Sequence, residues 1–166
     1  MMRRSALALA LFALSGCGLQ PLYQGGNAGA VATTLGSVSV GPIDGKGGWL
    51  MRTKLVDRLG VSAPEQAQYR LDVTLDDNIV AFGLRRDRAA SQERRTLRAR
   101  YQLVELGKGT VVLDATAGSD AGIDIVSSEY ATVAAEQTAA DNLADVVADQ
   151  IVARLGAFAL HGPAHR

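Results

Sequence analysis

Tyr130, Val133, Ala134, Leu143, Val147, Ile151, Leu155 and Phe158 fall on one side of the chain if the stretch that holds them is a single helix. Ser127 or Ser128 supplies the N-cap and Glu129 an acid in the first turn. The spacing predicts about thirty helical residues, roughly 45 Å at 1.5 Å per residue. An apolar stripe of that length must be buried against something equally long, so the rest of the chain has to supply an extended apolar surface. Asp141, Asp145 and Asp149 run along another side of the same helix.

Three alternating runs supply that surface. Tyr69, Leu71, Val73 and Leu75 alternate with Arg70, Asp72 and Thr74, within a strand expected from Gln66 to Leu84. Asp76-Asp77-Asn78 is expected to interrupt it with a bulge or bend before Ile79, Ala81 and Gly83 resume the apolar face. Leu97, Ala99, Tyr101 and Leu103 alternate with Arg98, Arg100 and Gln102, and Leu106-Gly107-Lys108-Gly109-Thr110 reads as a hairpin turn. Val111, Leu113, Ala115 and Ala117 then alternate with Val112, Asp114 and Thr116. Upstream, Gly36–Ile43 reads as a first strand around Val38 and Val40, ended by Gly41-Pro42. Gly45–Gly48 is a turn: it lacks the glycine and lysine spacing of a phosphate-binding loop. Trp49–Leu59 follows as a helix with Leu50, Leu55, Val56, Leu59 and the Lys54 stem on its apolar side, Trp49 at the core edge and Gly60 as C-cap. The expected fold class is α+β, a four-stranded mixed sheet with two helices packed on one face, in the order β-α-β-β-β-α. The first strand joins the meander through a helical crossover.

The N-terminus carries an address. Met1-Met2-Arg3-Arg4 is basic, Ser5–Leu14 is apolar after its serine, and Leu14-Ser15-Gly16-Cys17 ends the segment with small residues before a cysteine. That is the layout of an export signal, too short to span a bilayer, which needs roughly 20 apolar residues. Residues 1–16 are assigned to the signal. Leu-Ser-Gly-Cys resembles the bacterial lipobox, whose cysteine receives a diacylglycerol and, after cleavage, an acyl chain such as palmitate on its new amino group. More than one chain gives stable anchoring. Cys17→Ser is therefore expected to leave an uncut precursor without lipid; labelling with a radioactive fatty acid checks this, and a labelled, trimmed mutant would contradict the anchor. Residues 17–34 are read as the lipidated cysteine and a glycine-rich linker, within which Leu19–Tyr23 is apolar enough to pack on the body. Residues 35–160 form the single domain and 161–166 a tail.

The 150 residues from Cys17 onward are enough for one domain with a core of its own, and 48% of the whole chain is hydrophobic. Cys17 is the only cysteine, so no internal disulfide can form. Loss of Arg3 and Arg4 leaves 15 basic against 17 acidic residues, which argues against nucleic acid as a partner. The charge is unevenly placed. Arg85, Arg86, Arg88, Arg94, Arg95, Arg98 and Arg100 lie within sixteen residues, opposed there by Asp87 and Glu93. From Glu105 to Asp149 there are nine acids against Lys108. Arginine grips phosphate or carboxylate through a planar donor fork. Arg85–Thr96, expected to bridge two strands, either binds anions or pairs internally with Asp76, Asp77, Glu93 or the acidic helix; Arg85, Arg86, Arg88, Arg94 and Arg95 are the candidate site. Asp72, Asp76 and Asp77 have no metal-loop spacing and read as a solvated strand face. His161 and His165 fall in the tail, and the motifs of serine hydrolases, zinc proteases, dithiol redox proteins and P-loop proteins are missing. No catalytic, metal or cofactor site is expected.

Gly16-Cys17-Gly18-Leu19-Gln20-Pro21-Leu22-Tyr23 resembles the mature start of alphaproteobacterial lipopolysaccharide-assembly lipoproteins of the LptE type. Tyr130–Gln137, Leu143-Ala144 and Ala148–Ile151 are similar to that family's C-terminal helix, and the element order agrees. The resemblance implies a lipid-anchored outer-membrane protein that sits inside an LptD-like barrel, helps it fold, plugs it and binds lipopolysaccharide through basic residues. Gly18 after the cysteine agrees with outer-membrane sorting. Two other readings stay open at this point: an auxiliary lipoprotein of another envelope lipid transporter, and a lipid-anchored hydrolase.

Overall fold

The computed structural model describes residues 29–60, 66–84, 90–126 and 128–162. The signal, Cys17, Leu19–Tyr23, Arg85, Arg86, Arg88 and His165 lie outside the described residues. The elements in order are α1 (Ala30–Gly36), β1 (Val38–Val40), α2 (Gly48–Leu59), β2 (Tyr69–Leu84), β3 (Ala90–Glu105), β4 (Thr110–Asp124) and α3 (Glu129–His161). The sheet order is β1-β2-β3-β4, with β1 parallel to β2 and the other pairs antiparallel. The α+β fold and mixed four-stranded sheet are as expected.

One helix was not anticipated. Residues 30–34, read as linker, belong to α1, which buries Val31 and Leu35 in the common core. Seven residues carry too little periodicity to announce a helix, and two apolar positions gain from burial only once the other elements exist. The first strand is correspondingly short, Val38–Val40, with both valines buried. Gly48 is dictated by the turn before α2: a Cβ there would sit 2.0 Å from the Ile43 carbonyl oxygen. Gly60 ends α2 in the left-handed conformation at φ 64°, donating to the Val56 carbonyl at 3.2 Å. Met51, not among the residues expected on the apolar side, is completely buried, whereas Trp49, expected at the core edge, is 77% exposed.

The long helix is present, capped by Ser128, whose Oγ accepts from the Ala131 N–H at 3.4 Å. It runs on to His161, and His161 Nδ1 lies 2.9 Å from the Ala157 carbonyl oxygen. Leu143, Val147, Ile151 and Leu155 are buried in one cluster with Leu71, Tyr101 and Leu103. Tyr69 meets Phe158 edge-on, ring centres 6.0 Å apart. The stripe does not reach the N-terminal end: Tyr130 is 86% exposed and Val133 also faces out, so burial starts at Ala139. The helix pattern extends further than the surface beneath it can cover.

The acidic side of α3 is what joins it to α2. Lys54 Nζ and Arg58 Nη2 each lie 2.8 Å from Asp145 Oδ1, and Arg58 Nε lies 2.6 Å from Asp149. The bond from Lys54, then that from Arg58, holds the Asp145 carboxyl below the usual carboxylate range. A depressed folded-state value stabilises above the unfolded value near 4 and is lost as pH falls through the folded one. With Asp145 part-exposed, the contribution is under about 1 kcal/mol. Wild type is expected to melt slightly above Asp145→Asn at pH 7, the two melting curves converging as the pH is taken below about 4.

Candidate functional site: an arginine row on the open face of the sheet

The Arg-rich stretch is mostly strand. β2 continues to Leu84 and β3 begins at Ala90, with pairs Asp76↔Arg98, Asp77↔Leu97, Asn78↔Thr96, Ile79↔Arg95, Val80↔Arg94 and Ala81↔Glu93. The bulge expected at Asp76–Asn78 does not occur; the ladder passes through it in register. Three polar residues looked like an interruption, but an unbroken strand simply puts Asp77 on the helix-covered face and Asp76 and Asn78 on the open one. Arg94 and Arg95 likewise take opposite faces, so these two candidates do not present their guanidiniums to one site.

Arg95 points toward the helices. Its Nε donates to Asp77 Oδ1 at 2.8 Å and its Nη1 to the Glu136 carbonyl at 2.9 Å, which ties β2, β3 and α3 together. Its side chain is only 16% exposed. The bond from Asp77 raises its pKa against the opposing effect of burial. Its Nη2 donates to Asp77 Oδ2, so every nitrogen of this guanidinium is engaged within the fold. On the same helix side, Glu93 Oε2 is buried with no hydrogen-bond partner among the described residues.

On the open face the row along β3 is Gln92, Arg94, Thr96, Arg98, Arg100 and Gln102. Arg100 is neutralised by Asp114 at 3.0 Å, which Gln102 also reaches at 2.9 Å; these two hydrogen bonds, that from Arg100 first, lower the Asp114 pKa. Arg70 pairs with Asp72 at 2.8 Å. Arg94 instead lies over the Phe82 ring, 5.4 Å from its centre. Arg98 crosses Gly118, where a Cβ would come within 2.6 Å of its Cδ, so the glycine gives it room. Arg94 and Arg98 have no carboxylate ion pair among the described residues, and sit about 14 Å apart along the strand at 3.4 Å per residue. Arg98 was missed as a site residue; the signal available was its even number, which places it on the Arg94 side of a strand. A shallow open-face cavity is lined by Thr74, Asp76, Arg98, Arg100 and Thr116. A face of this kind offers forked cationic donors and hydroxyls to an anionic ligand; no group of three or more potential metal ligands occurs among the described residues.

The comparisons with known proteins agree with this architecture. The family model for LptE, lipopolysaccharide assembly, matches residues 35–155. The chain belongs to the LptE family. Among solved structures, a lipoprotein from Caulobacter crescentus CB15 is similar at TM-score 0.66 and 23% identity, covering 82% of this chain and 99% of that one. Lipoprotein B from Nitrosomonas europaea gives 0.58 at 12% identity over 76% of this chain and 89% of that one. Rare lipoprotein B from Shewanella oneidensis gives 0.56 at 11% over 74% and 96%. At such identities these structures share the LptE fold with this chain. None of the curated proteins matches it by sequence.

Proposed function

We propose that this LptE-family chain is an outer-membrane lipoprotein anchored through Cys17, which assists assembly of an LptD-like lipopolysaccharide-translocating barrel, plugs it and binds lipopolysaccharide for insertion into the outer leaflet. The observation that carries the reading is the family match across residues 35–155, nearly the whole folded domain. Its role is binding and assembly without catalysis. Arg94 and Arg98, which have no carboxylate ion pair among the described residues, support glycolipid binding, since lipid A phosphates are multivalent anions suited to arginine forks. Arg85, Arg86 and Arg88 remain candidates for the same ligand, whereas Arg95 is assigned to holding the fold.

Purification of the tagged full chain from detergent-solubilised envelopes, with partners identified by mass, tests the assembly role. A large outer-membrane barrel is expected in roughly equal amount. Recovery with the subunits of a different envelope lipid transporter, and with no barrel, would overturn it.

A further inference from the structure

α3 follows the β4 edge of the sheet turn by turn. Gln150 holds its amide against Gly118, accepting the Gly118 N–H at 3.1 Å and donating to its carbonyl at 3.4 Å, and so takes the place of a neighbouring strand there. Those bonds show which way the edge faces. Residues of an antiparallel strand turn their backbone groups alternately inward and outward. The β3–β4 register is unshifted from Asp124 back to Leu113, so Thr116 and Asp114 turn theirs outward as Gly118 does. No strand lies beyond β4 among the described residues, and nothing there bonds the outward N–H and C=O groups of Thr116 and Asp114. One turn on from Gln150, Arg154 lines a cavity with Tyr101, Asp114 and Thr116, and it meets no carboxylate among the described residues. Burial raises the Tyr101 pKa and the nearby Arg154 charge works against it. A further turn along, Ala157, Phe158 and His161 border a largely apolar cavity of about 180 Å³ with Leu113. That is close to the size of a cavity that accepts one benzene ring.

We propose that this part of β4 takes up an extended strand of a partner protein, one that carries an acidic residue and, two positions along, an apolar one. The outward backbone groups select the class of ligand. A free phosphate or carboxylate would use the N–H groups and Arg154 but leave the Thr116 and Asp114 carbonyls unmatched, whereas a strand supplies donors and acceptors at their own spacing. Arg154 selects the charge, because its guanidinium is a forked donor suited to a carboxylate. The helix sets the spacing. Arg154 and Phe158 are one turn apart, about 6 Å along α3, and side chains two positions apart on a strand are separated by about 6.8 Å. Alternate residues on the α3 side of the added strand therefore reach the guanidinium and the apolar cavity in turn. Gln150 closes the site at Gly118, and the register shift at Leu103/Val104 closes it beyond Leu113. Four backbone bonds, one ion pair and one apolar contact make an interface below standard size, so the complex is weak and exchanges quickly.

Fluorescence anisotropy of a labelled, end-capped peptide, Lys-Thr-Val-Glu-Thr-Leu-Thr-Lys, measures it on the full chain carrying Cys17→Ser, in detergent. The peptide is expected to bind saturably, and a counterpart with glutamine in place of glutamate about tenfold more weakly. Arg154→Gln should bring the glutamate peptide down to the level of the glutamine one and leave the glutamine one unchanged. Methylating every backbone amide of the peptide removes its donors and should abolish binding. Thr116→Pro, which deletes an outward N–H of the edge strand and no ladder bond, should do the same. Arg94→Ser on the open face should change nothing. Each variant is first matched to the parent by circular dichroism and melting temperature; if Thr116→Pro fails to match, the methylated peptide decides alone. No saturable binding, equal binding of the glutamate and glutamine peptides, or equal binding of the methylated peptide overturns the proposal. So does a parent that dimerises with concentration and loses the dimer on Arg154→Gln, which would assign the edge to a second copy of this chain.

Discussion

Val147→Asp is expected to abolish the cooperative fold. Val147 has no solvent exposure and belongs to the cluster that joins α3 to Leu71, Tyr101 and Leu103 of the sheet. A carboxylate placed there has no cation to meet among the residues of that cluster, and an unpaired buried charge costs several kcal/mol even after relaxation. A domain of this size has about 5–15 kcal/mol of stability in all. Far-ultraviolet circular dichroism should show a large loss of structure, with no sigmoidal urea transition. Ile151→Ala, one turn away and equally buried, should remain folded and lose about 2–5 kcal/mol by urea titration. Tyr130→Ala should change little, because that side chain is almost wholly in water although it lies on the same nominal stripe. A Val147→Asp protein that melts like wild type would contradict the packing of α3 on the sheet.

Arg94→Ser and Arg95→Ser are expected to separate binding from stability. The two are adjacent in sequence but on opposite faces of β3. Loss of Arg95 leaves the Asp77 carboxylate part-buried without its cation and the Glu136 carbonyl without its side-chain donor. Breaking a fully buried pair costs about 3–5 kcal/mol; with Asp77 and Arg95 partly in water, about 2–3 kcal/mol is expected here, from urea titration. Arg94 forfeits only its stacking on Phe82, about 0.5–1 kcal/mol at an exposed site. Lipopolysaccharide binding should respond in the opposite order: Arg94→Ser, more strongly with Arg98→Ser, lowers it and reduces its salt sensitivity. The folded fraction of Arg95→Ser should bind as wild type. Charge removal on the helix side is the control, and Asp141→Ser with Asp145→Ser should not weaken binding. Equal binding by wild type and the Arg94/Arg98 double mutant at low and moderate salt would place the ligand elsewhere.

The periods of the sequence were enough for β2, β3 and the long helix; in β4 the register shift between Leu103 and Val104 leaves Val111 51% exposed and packs Val112 on the core in its place. Alternation at Tyr69–Leu75 and Leu97–Leu103, and helical spacing at Leu143–Leu155, name residues that are buried or half-buried in the structure, because a backbone of fixed repeat must send those side chains to one side. Glycine chemistry was equally local: Gly60 closes α2 and Gly109, at φ 65°, lies in the β3–β4 turn. Where a pattern stopped was another matter. The apolar stripe of α3 runs on to Tyr130, yet burial begins at Ala139, since the extent of the covering surface is a property of the packed sheet.

The charges show the limit most clearly. Seven arginines in sixteen residues announce an unusual surface, but which of Arg94, Arg95, Arg98 and Arg100 pair with a carboxylate among the described residues depends on strand register and on what lies across each face. Had β2 bent at Asp76–Asn78, Asp77 would have been free of the register that sets it beside Arg95. The acids of α3 meet Lys54 and Arg58 some ninety positions away, a pairing that no local spacing encodes. Sequence by itself determined the long strands and the two longer helices, with most of their apolar sides, because those follow from the geometry of neighbouring residues; α1, too short for a period, did not. Only the tertiary structure decided which charges are neutralised, since an ion pair is set by a distance of a few ångströms in space, and that distance exists only after the sheet and its helices have packed.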